Sequence, residues 1–300
     1  SKTRGFDYDE ELWGISTRLN HEIPNRNHLV LGFDGDWGGY DFSSYASDFD
    51  SGNWAVYAND TVDLGPFSLI GGLRYDNNLD FGSEVSPLGG VVWRLPWKDG
   101  LIRAQVARGF SAPPGAWVND PVYGNKDLKA ETGVNYQVGG ELRPLKFLKL
   151  EVNLFQADID DLINFDLARM KWSNIDEVTR RGIEGRVSAN FTSGPLAGLA
   201  LSFGGSYVDV RDAKTDEVIP DIPDVLLDTS ASYTYKWLTQ SLIRRYVDNN
   251  SSFPETHDKV FVFDYLAKVK LPPPPCTRIN PSLFAAVHNI GDTNYLYRTV

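Results

Sequence analysis

The sequence predicts an all-β fold, an antiparallel up-and-down transmembrane β-barrel whose wall separates lipid from water. Apolar and polar residues alternate one by one in three runs between Leu101 and Leu154, and a period of two residues indicates β-strand. The polar positions of these runs include full charges, as expected where one face of a strand meets lipid and the other meets water. Short and longer connections alternate along the chain, which is typical of an up-and-down barrel.

About fourteen strand-like segments follow one another, each bounded by turn residues such as Gly, Pro, Asn and Asp. In the first segment Trp13, Ile15 and Leu19 share one apolar face. In the thirteenth, residues 261–269 alternate in the same way before a proline run that cannot continue a ladder. The strands are predicted at residues 12–20, 28–34, 54–60, 67–75, 88–94, 101–110, 133–142, 148–154, 180–190, 199–208, 226–235, 238–247, 261–271 and 283–289.

The connections between these segments alternate in length. Longer polar loops are predicted in half of them, including residues 36–53 and 158–178. A soluble sandwich would instead mix short and long loops through Greek-key crossings. No helix is predicted, because the weakly helical spacing of Ile159, Leu162 and Leu167 indicates at most an insertion within a loop. Short turns are predicted at residues 22–27, 62–66, 95–100, 143–147, 192–198 and 236–237.

The composition excludes several classes of protein. The net charge of −11 argues against a nucleic-acid binder, which normally presents a basic surface. The lone Cys276 excludes an intramolecular disulfide framework and a four-cysteine zinc site. The histidines are scattered, and no HExxH, CxxC or GxSxG pattern occurs, so we predict no enzyme and no resident metal or cofactor. The sequence contains no run of about 18 apolar residues, so no transmembrane helix is predicted.

Residues 34–50 combine five aspartates with five aromatic residues. Such a density of carboxylates suits Ca²⁺, which prefers about six to eight oxygen ligands, but the spacing matches no EF-hand loop. The simpler interpretation is a solvated external loop. In a third interpretation the rings stack on a ligand, and Trp37, Tyr40 and Tyr45 are the candidate ligand contacts.

The loop at residues 111–129 is the second candidate binding region. Its prolines and glycines shape the backbone, so much of its pattern is structural. Trp117 and Tyr123 lie within it and are predicted as further candidate ligand contacts. The tryptophans near strand ends or short turns are predicted to form an interfacial aromatic girdle: Trp13, Trp93, Trp97 and Trp237.

Short motifs recur in a fixed order along most of the chain: GLRYD at 72–76, RGFSAP at 108–113, GNKDLKAET at 124–132, ADIDDLINF at 157–165, NIDEVTRRGIEG at 174–185 and VHNIGDTNY at 287–295. Together they resemble the motifs of TonB-dependent outer-membrane receptors. The chain departs from the usual pattern of that family at Ala130, where proline is usual, at Arg181, near a usual small residue, and at Ile290 and Gly291, where Leu and Phe are usual. None of these departures interrupts a predicted strand. Residues 192–213 resemble the cobalamin-transporter branch and related siderophore receptors.

The resemblance implies a barrel of about 22 strands whose lumen is filled by an N-terminal plug domain. Since about fourteen strands and no plug are predicted, we expect residues 1–300 to be the C-terminal part of such a barrel domain. The start at Ser1, without a methionine or a signal peptide, agrees with that expectation. Charged side chains predicted to face the lumen would then meet the plug or water: Arg103, Glu141, Lys149, Glu151, Glu184 and Arg186.

The resemblance also implies a function. The protein is expected to be a multi-pass barrel in the outer membrane of a Gram-negative cell, where it imports a scarce ligand too large for porins. The expected ligand is an iron–siderophore complex or a cobalamin. The expected partners are outer-membrane lipid and TonB, which would act through the missing N-terminal region. Two alternatives stay open: a passive porin-like or structural outer-membrane barrel, and a soluble all-β binding domain.

Overall fold

A computed structural model describes residues 8–24, 26–42, 47–79, 81–97, 99–219, 222–249, 259–273 and 279–293. Within them, fourteen β-strands form one sheet in which each strand is hydrogen-bonded to its neighbours in chain order. The strands are β1 (Tyr8–Ile23), β2 (Asn27–Phe42), β3 (Ser47–Leu64), β4 (Phe67–Asn78), β5 (Gly82–Arg94), β6 (Leu101–Ser111), β7 (Glu131–Leu145), β8 (Leu148–Asp166), β9 (Lys171–Asn190), β10 (Leu199–Asp212), β11 (Pro223–Tyr235), β12 (Leu238–Asn249), β13 (Lys259–Lys270) and β14 (Ser282–Val287). One short helix, α1 (Gly115–Asn119), lies between β6 and β7.

The predicted up-and-down order is confirmed, because every predicted segment coincides with one strand and sequential strands pair antiparallel. Among the described residues, β1 and β14 each pair with a single neighbour and form the two edges of the sheet. The connections alternate between two rims. The short-turn rim includes the turns β1–β2, β3–β4 and β7–β8, and the opposite, long-loop rim includes the β6–β7 and β10–β11 connections.

The strands are longer than predicted, and several predicted loops are in fact strand. β8 and β9 contain 19 and 20 residues, whereas about 9–11 residues suffice to cross a membrane. At roughly 3.3 Å per residue, β8 is about 60 Å long. The prediction of a loop at residues 158–178 is therefore wrong: the two strands remain paired as far as Asp166 and Lys171, and only residues 167–170 form the turn.

Two other predicted loops also need correction. The loop at residues 36–53 is mostly strand, since β2 extends to Phe42 and β3 begins at Ser47, its register partner. The loop at residues 111–129 contains α1, so the prediction of no helix is wrong there. The helix begins after Pro114. Proline has no N–H, but an N–H at the start of a helix has no partner within the helix, so no helical hydrogen bond is lost there. Among the described residues, no helix is long and apolar enough to cross a membrane.

Alternate residues face opposite sides of the sheet, and the two sides differ in polarity. Leu19, Leu31 and Leu73 lie in one register row and are 62%, 40% and 54% exposed. We call their side the apolar face. The row of Asp34 and Asp76 lies three residues along the same strands and faces the other way, onto what we call the polar face. A wall that is apolar on one side and charged on the other suits a boundary between lipid and water.

Buried apolar clusters within the described part of the chain are small and lie near the long-loop rim. One of them forms where the β10–β11 connection folds back onto β10. The N–H of Ile219 donates to the carbonyl of Val210 over 2.9 Å, and the Ile219 side chain packs against the cluster formed by Val178, Val208 and Val210. The rim is therefore packed locally, by connections folded against strands.

Candidate functional site

The polar face of β1 to β4 contains a network of hydrogen bonds around Arg74. The guanidinium donates to both carboxylate oxygens of Asp76 over 2.9–3.1 Å and to Asp34 over 2.6 Å. The hydroxyl of Ser16 also donates to Asp34, over 2.7 Å. Asp76 is only 3% exposed, and a buried carboxylate is tolerated when a paired cation and hydrogen bonds compensate for lost hydration. Arg74 provides that compensation.

The ring of Tyr57 lies over Gly32 within the same network. A Cβ atom at position 32 would overlap the phenol ring, so this close approach requires glycine. Arg18 donates to the Tyr57 hydroxyl over 3.4 Å, and the guanidinium of Arg74 lies 5.4 Å from the ring centroid, in a cation–π contact. The ring is thus fixed between two cations on the polar face.

A second set of charges crosses the polar face further along the sheet. Lys149 contacts Glu141 over 3.0 Å and Glu151 over 2.9 Å, and Glu151 is the register partner of Arg186. Arg186 in turn forms two hydrogen bonds of 2.8 Å to Asp228. All six residues that the sequence predicted for the lumen lie on this face. The row continues through Arg245 and Asp264.

A polar recess of about 430 Å³ opens beside this row, lined by Arg103, Asn153, Glu184 and Ser206 among others. The Oδ1 atom of Asn153 is buried and has no hydrogen-bond partner among the described residues. A buried acceptor without a donor costs free energy. The recess therefore offers charges of both signs to a polar group that enters from the polar face.

Four aromatic side chains gather at the long-loop rim, where the β6–β7 connection packs on the β8–β9 hairpin. Trp117 stacks on Trp172 with a centroid distance of 4.0 Å and an interplanar angle of 10°. Phe165 meets Trp172 edge-on at 5.3 Å, and Tyr123 meets Phe165 edge-on at 5.8 Å. We call these four residues the rim cluster. Trp117 is half-buried and uses one ring face on Trp172, whereas Tyr123 is 37% exposed and accessible to a ligand.

Hydrogen bonds fasten the same connection to the hairpin. The side-chain N–H group of Asn174 donates to the carbonyls of Lys129 and Asp161 over 3.0 Å and 2.6 Å, and its Oδ1 accepts from the N–H of Lys129 over 3.0 Å. The carboxylate of Glu131 accepts from the N–H of Ile163 over 2.8 Å. The connection and the hairpin therefore form one packed unit.

Of the three candidate ligand contacts whose side chains the structure describes, Trp117 and Tyr123 lie in the rim cluster. Trp37 lies in β2 on the apolar face, opposite Trp13, and its ring covers Gly35 and Gly52. This position groups Trp37 with the aromatic residues of the apolar face instead of with the rim cluster.

The other two candidates come from the same predicted loop as Trp37. The backbone of Tyr40 belongs to β2, and its side chain lies outside the described part of the structure. Tyr45 lies outside the described residues altogether. The predicted girdle residues Trp93, Trp97 and Trp237 lie at the short-turn rim, where Trp93 stacks on Phe67 at 5.9 Å.

Sequence reasoning missed Phe165 and Trp172, because both fall in the segment assigned to a loop. The signal was present: apolar and polar residues continue to alternate from Ile163 to Asp166. Of the carboxylates considered for Ca²⁺, the side chains of Asp41 and Asp48 lie outside the described part of the structure. Asp34 is engaged by Arg74, and no group of three or more His, Cys, Asp or Glu residues suited to a metal occurs in the described ranges.

Comparison with known proteins finds one matching family model and several similar structures. Residues 1–290 match the family model described as TonB-dependent receptor-like, β-barrel. The fold is similar to that of the siderophore receptor PirA from Pseudomonas aeruginosa, with a TM-score of 0.77 and 21% identity over 96% of this chain and 53% of that chain. It is also similar to the FrpB iron transporter from Neisseria meningitidis, with a TM-score of 0.73 and 17% identity over 96% and 51%. The copper transporter OprC gives a TM-score of 0.77 and 16% identity over 96% and 52%. This chain spans about half the length of each of these structures.

Proposed function

Because the chain belongs to the TonB-dependent receptor β-barrel family, an outer-membrane family of receptors and not of enzymes, we propose that it imports a scarce ligand with energy supplied through TonB. The match over residues 1–290 is the observation that carries this proposal. The two faces of the sheet agree with it, since one suits lipid and the other presents charges toward a lumen. The ligand is one too large to diffuse through a porin.

We propose an iron–siderophore complex as the ligand. Two of the similar structures are a siderophore receptor and an iron transporter, which supports this choice. The third is a copper transporter, so a copper-bearing ligand is the second candidate. Cobalamin, the other ligand expected from the sequence, has no counterpart among these three names.

The rim cluster and the polar face suggest how such a ligand would be handled. Tyr123 presents an exposed ring at the rim where ligand would arrive, and rigid aromatic rings supply contact area at a low entropic cost. Below the rim, the polar face offers the Arg74 network and the recess near Asn153 to polar groups of the ligand. No covalent step is needed for capture and passage.

We also propose that residues 1–300 are the C-terminal part of the barrel domain, and that TonB contacts a region outside them. Two observations support this assignment. The chain covers about half of each similar structure, and within the described residues β1 and β14 are edges with unpaired backbone groups. Such edges are costly in lipid, so further strands are needed to close the wall.

Transport of radioactive iron into cells tests the proposal. We expect uptake of a ⁵⁵Fe–siderophore to require the gene for this protein, to require TonB, and to stop when the proton-motive force is collapsed. Uptake that persists without TonB would identify a passive barrel instead. A protein that stays folded and monomeric in buffer without detergent would identify a soluble domain and overturn the proposal.

A matched pair of variants tests the rim cluster. Tyr123→Ala removes the exposed ring at the long-loop rim, and Trp97→Ala removes a ring at the short-turn rim that is more accessible, 55% exposed against 37%. We expect Tyr123→Ala to weaken ligand binding to cells and Trp97→Ala to leave it unchanged. Equal binding by both variants and the wild type would remove Tyr123 from the site.

A further inference from the structure

A groove opens on the apolar face across β5 to β8. Its volume is about 660 Å³, and it spans three inter-strand spacings, or roughly 14 Å. Its lining is almost wholly apolar. The residues that line it on this face include Gly89, Val91, Ala104, Val106, Tyr136 and Leu154.

The groove exists because small residues lie between projecting ones. A Cβ atom added to Gly89 would have Val106 Cγ1 as its nearest contact, at 4.0 Å, so the space above this residue is open. Ala104 on the next strand adds only a methyl group to the floor. Tyr136 and Leu154 project from β7 and β8 and are 47% and 51% exposed. The depression is thus bounded by an aromatic ring and aliphatic side chains.

We propose that this groove binds one acyl chain of a membrane lipid. The groove lies on the apolar face of the sheet, and in a barrel of the outer membrane the apolar outer face meets lipid, so hydrocarbon is the medium in front of it. A chain lying in the groove restores the close packing that the missing side chains at Gly89 and Ala104 leave unmade.

The site recognises the chain and not the head group, because the polar side chains at its end toward the long-loop rim are already paired. Gln156 lines the groove there and donates to Asp158 over 3.0 Å. Its register partner Arg181 donates to Asp209 over 2.9–3.0 Å. The positive charge of Arg181 is thus compensated by Asp209 and does not select an anionic head group.

Filling the groove tests the proposal. Gly89→Val places a side chain in open space without strain, and Ala104→Leu fills the neighbouring part of the floor. Gly185→Val is the matched control. It adds the same side chain to the apolar face, but on β9 and outside the groove, where the nearest atom to the new Cβ would be 3.7 Å away. Lipid retention is measured by native mass spectrometry on the receptor expressed from its full gene, stripped of lipid and titrated with phosphatidylglycerol or phosphatidylethanolamine of identical chains.

We expect Gly89→Val and Ala104→Leu to weaken binding of the tightest lipid by at least about fourfold, the change expected when one methylene loses its apolar contact. Gly185→Val should bind as the wild type does, and the two lipids should bind equally. Equal loss in the control, a clear preference for one head group, or a dimer that only the filling variants disrupt would each overturn the proposal. No transported ligand takes part, so the outcome is independent of the iron-uptake experiment.

Discussion

Replacement of Arg74 by methionine removes the guanidinium that satisfies Asp76 while keeping much of the side-chain stem. Asp76 is 3% exposed and accepts three hydrogen bonds of 2.9–3.1 Å from Arg74. Loss of one partner from a buried ion pair typically costs about 3–5 kcal/mol, because an uncompensated charge stays buried. The Arg74 side chain is 35% exposed, so water reaches the site, and we expect the lower end, about 3 kcal/mol.

The double variant Arg74→Met/Asp76→Asn separates the orphaned charge from the other losses. Both variants lose the hydrogen bond to Asp34 and the cation–π contact with Tyr57, which is worth about 0.5–1 kcal/mol. Only the single variant leaves a buried carboxylate without its cation. We therefore expect the double variant to be about 1–2 kcal/mol more stable than the single variant.

Equilibrium unfolding in guanidinium chloride measures this difference for protein reconstituted in lipid. Tryptophan fluorescence is a suitable probe because Trp54 lies 5.5 Å from Tyr75, the residue between Arg74 and Asp76. The reasoning is refuted if Arg74→Met loses less than about 1 kcal/mol, or if adding Asp76→Asn destabilises the protein further.

Three further predictions concern the long-loop rim. Asn174→Ala removes three hydrogen bonds of roughly 1 kcal/mol each, and should speed tryptic cleavage within residues 112–130. Asn174→Asp keeps only the acceptor for the N–H of Lys129 and places a carboxylate oxygen against the carbonyls of Lys129 and Asp161, so it should speed cleavage at least as much. Trp117→Ala unstacks the rim cluster and should destabilise this connection by about 2 kcal/mol, seen as the same cleavage. Hydrogen bonds from the N–H groups of Thr215 and Lys214, in the turn that follows β10, lower the pKa of Asp212 at the end of that strand. A lowered pKa stabilises the turn fully above the unfolded value, and this stability is lost as the pH falls through the lower folded value, so the wild type should approach Asp212→Ala in protease sensitivity only as the pH falls below about 4.

The order of the strands was predictable, but their ends were not, and β8 shows why. Alternation depends on a contrast between lipid on one side and water on the other. Leu154, Gln156 and Asp158 lie on the same face, and the face turns polar after Leu154. The ladder continues nevertheless, since Gln156 still pairs with Arg181. Beyond Leu154 backbone pairing maintains the strand while the apolar residues change to the opposite face, at Phe155, Ala157 and Ile159.

The candidate site was predictable only in part, because its geometry depends on contacts between distant segments. Trp117 and Tyr123 were identified from their aromatic character within one loop. Their partners Phe165 and Trp172 lie more than 40 positions further along the chain and no local pattern links them. The contact of Tyr57 with Gly32 across two strands is of the same kind.

The extension of β8 and β9 past the lipid also determines how the rim can act in capture. A free connection of this length would have to be ordered when ligand binds, and that ordering reduces affinity. Here the hairpin provides a paired platform, and Asn174 and the stacked Trp117 and Trp172 hold the connection on it. Tyr123 is therefore presented on a surface that is ordered before the ligand arrives. It follows that Asn174→Ala, which touches no exposed ring, should weaken ligand binding, and that Tyr123→Ala should add little further loss in the same chain.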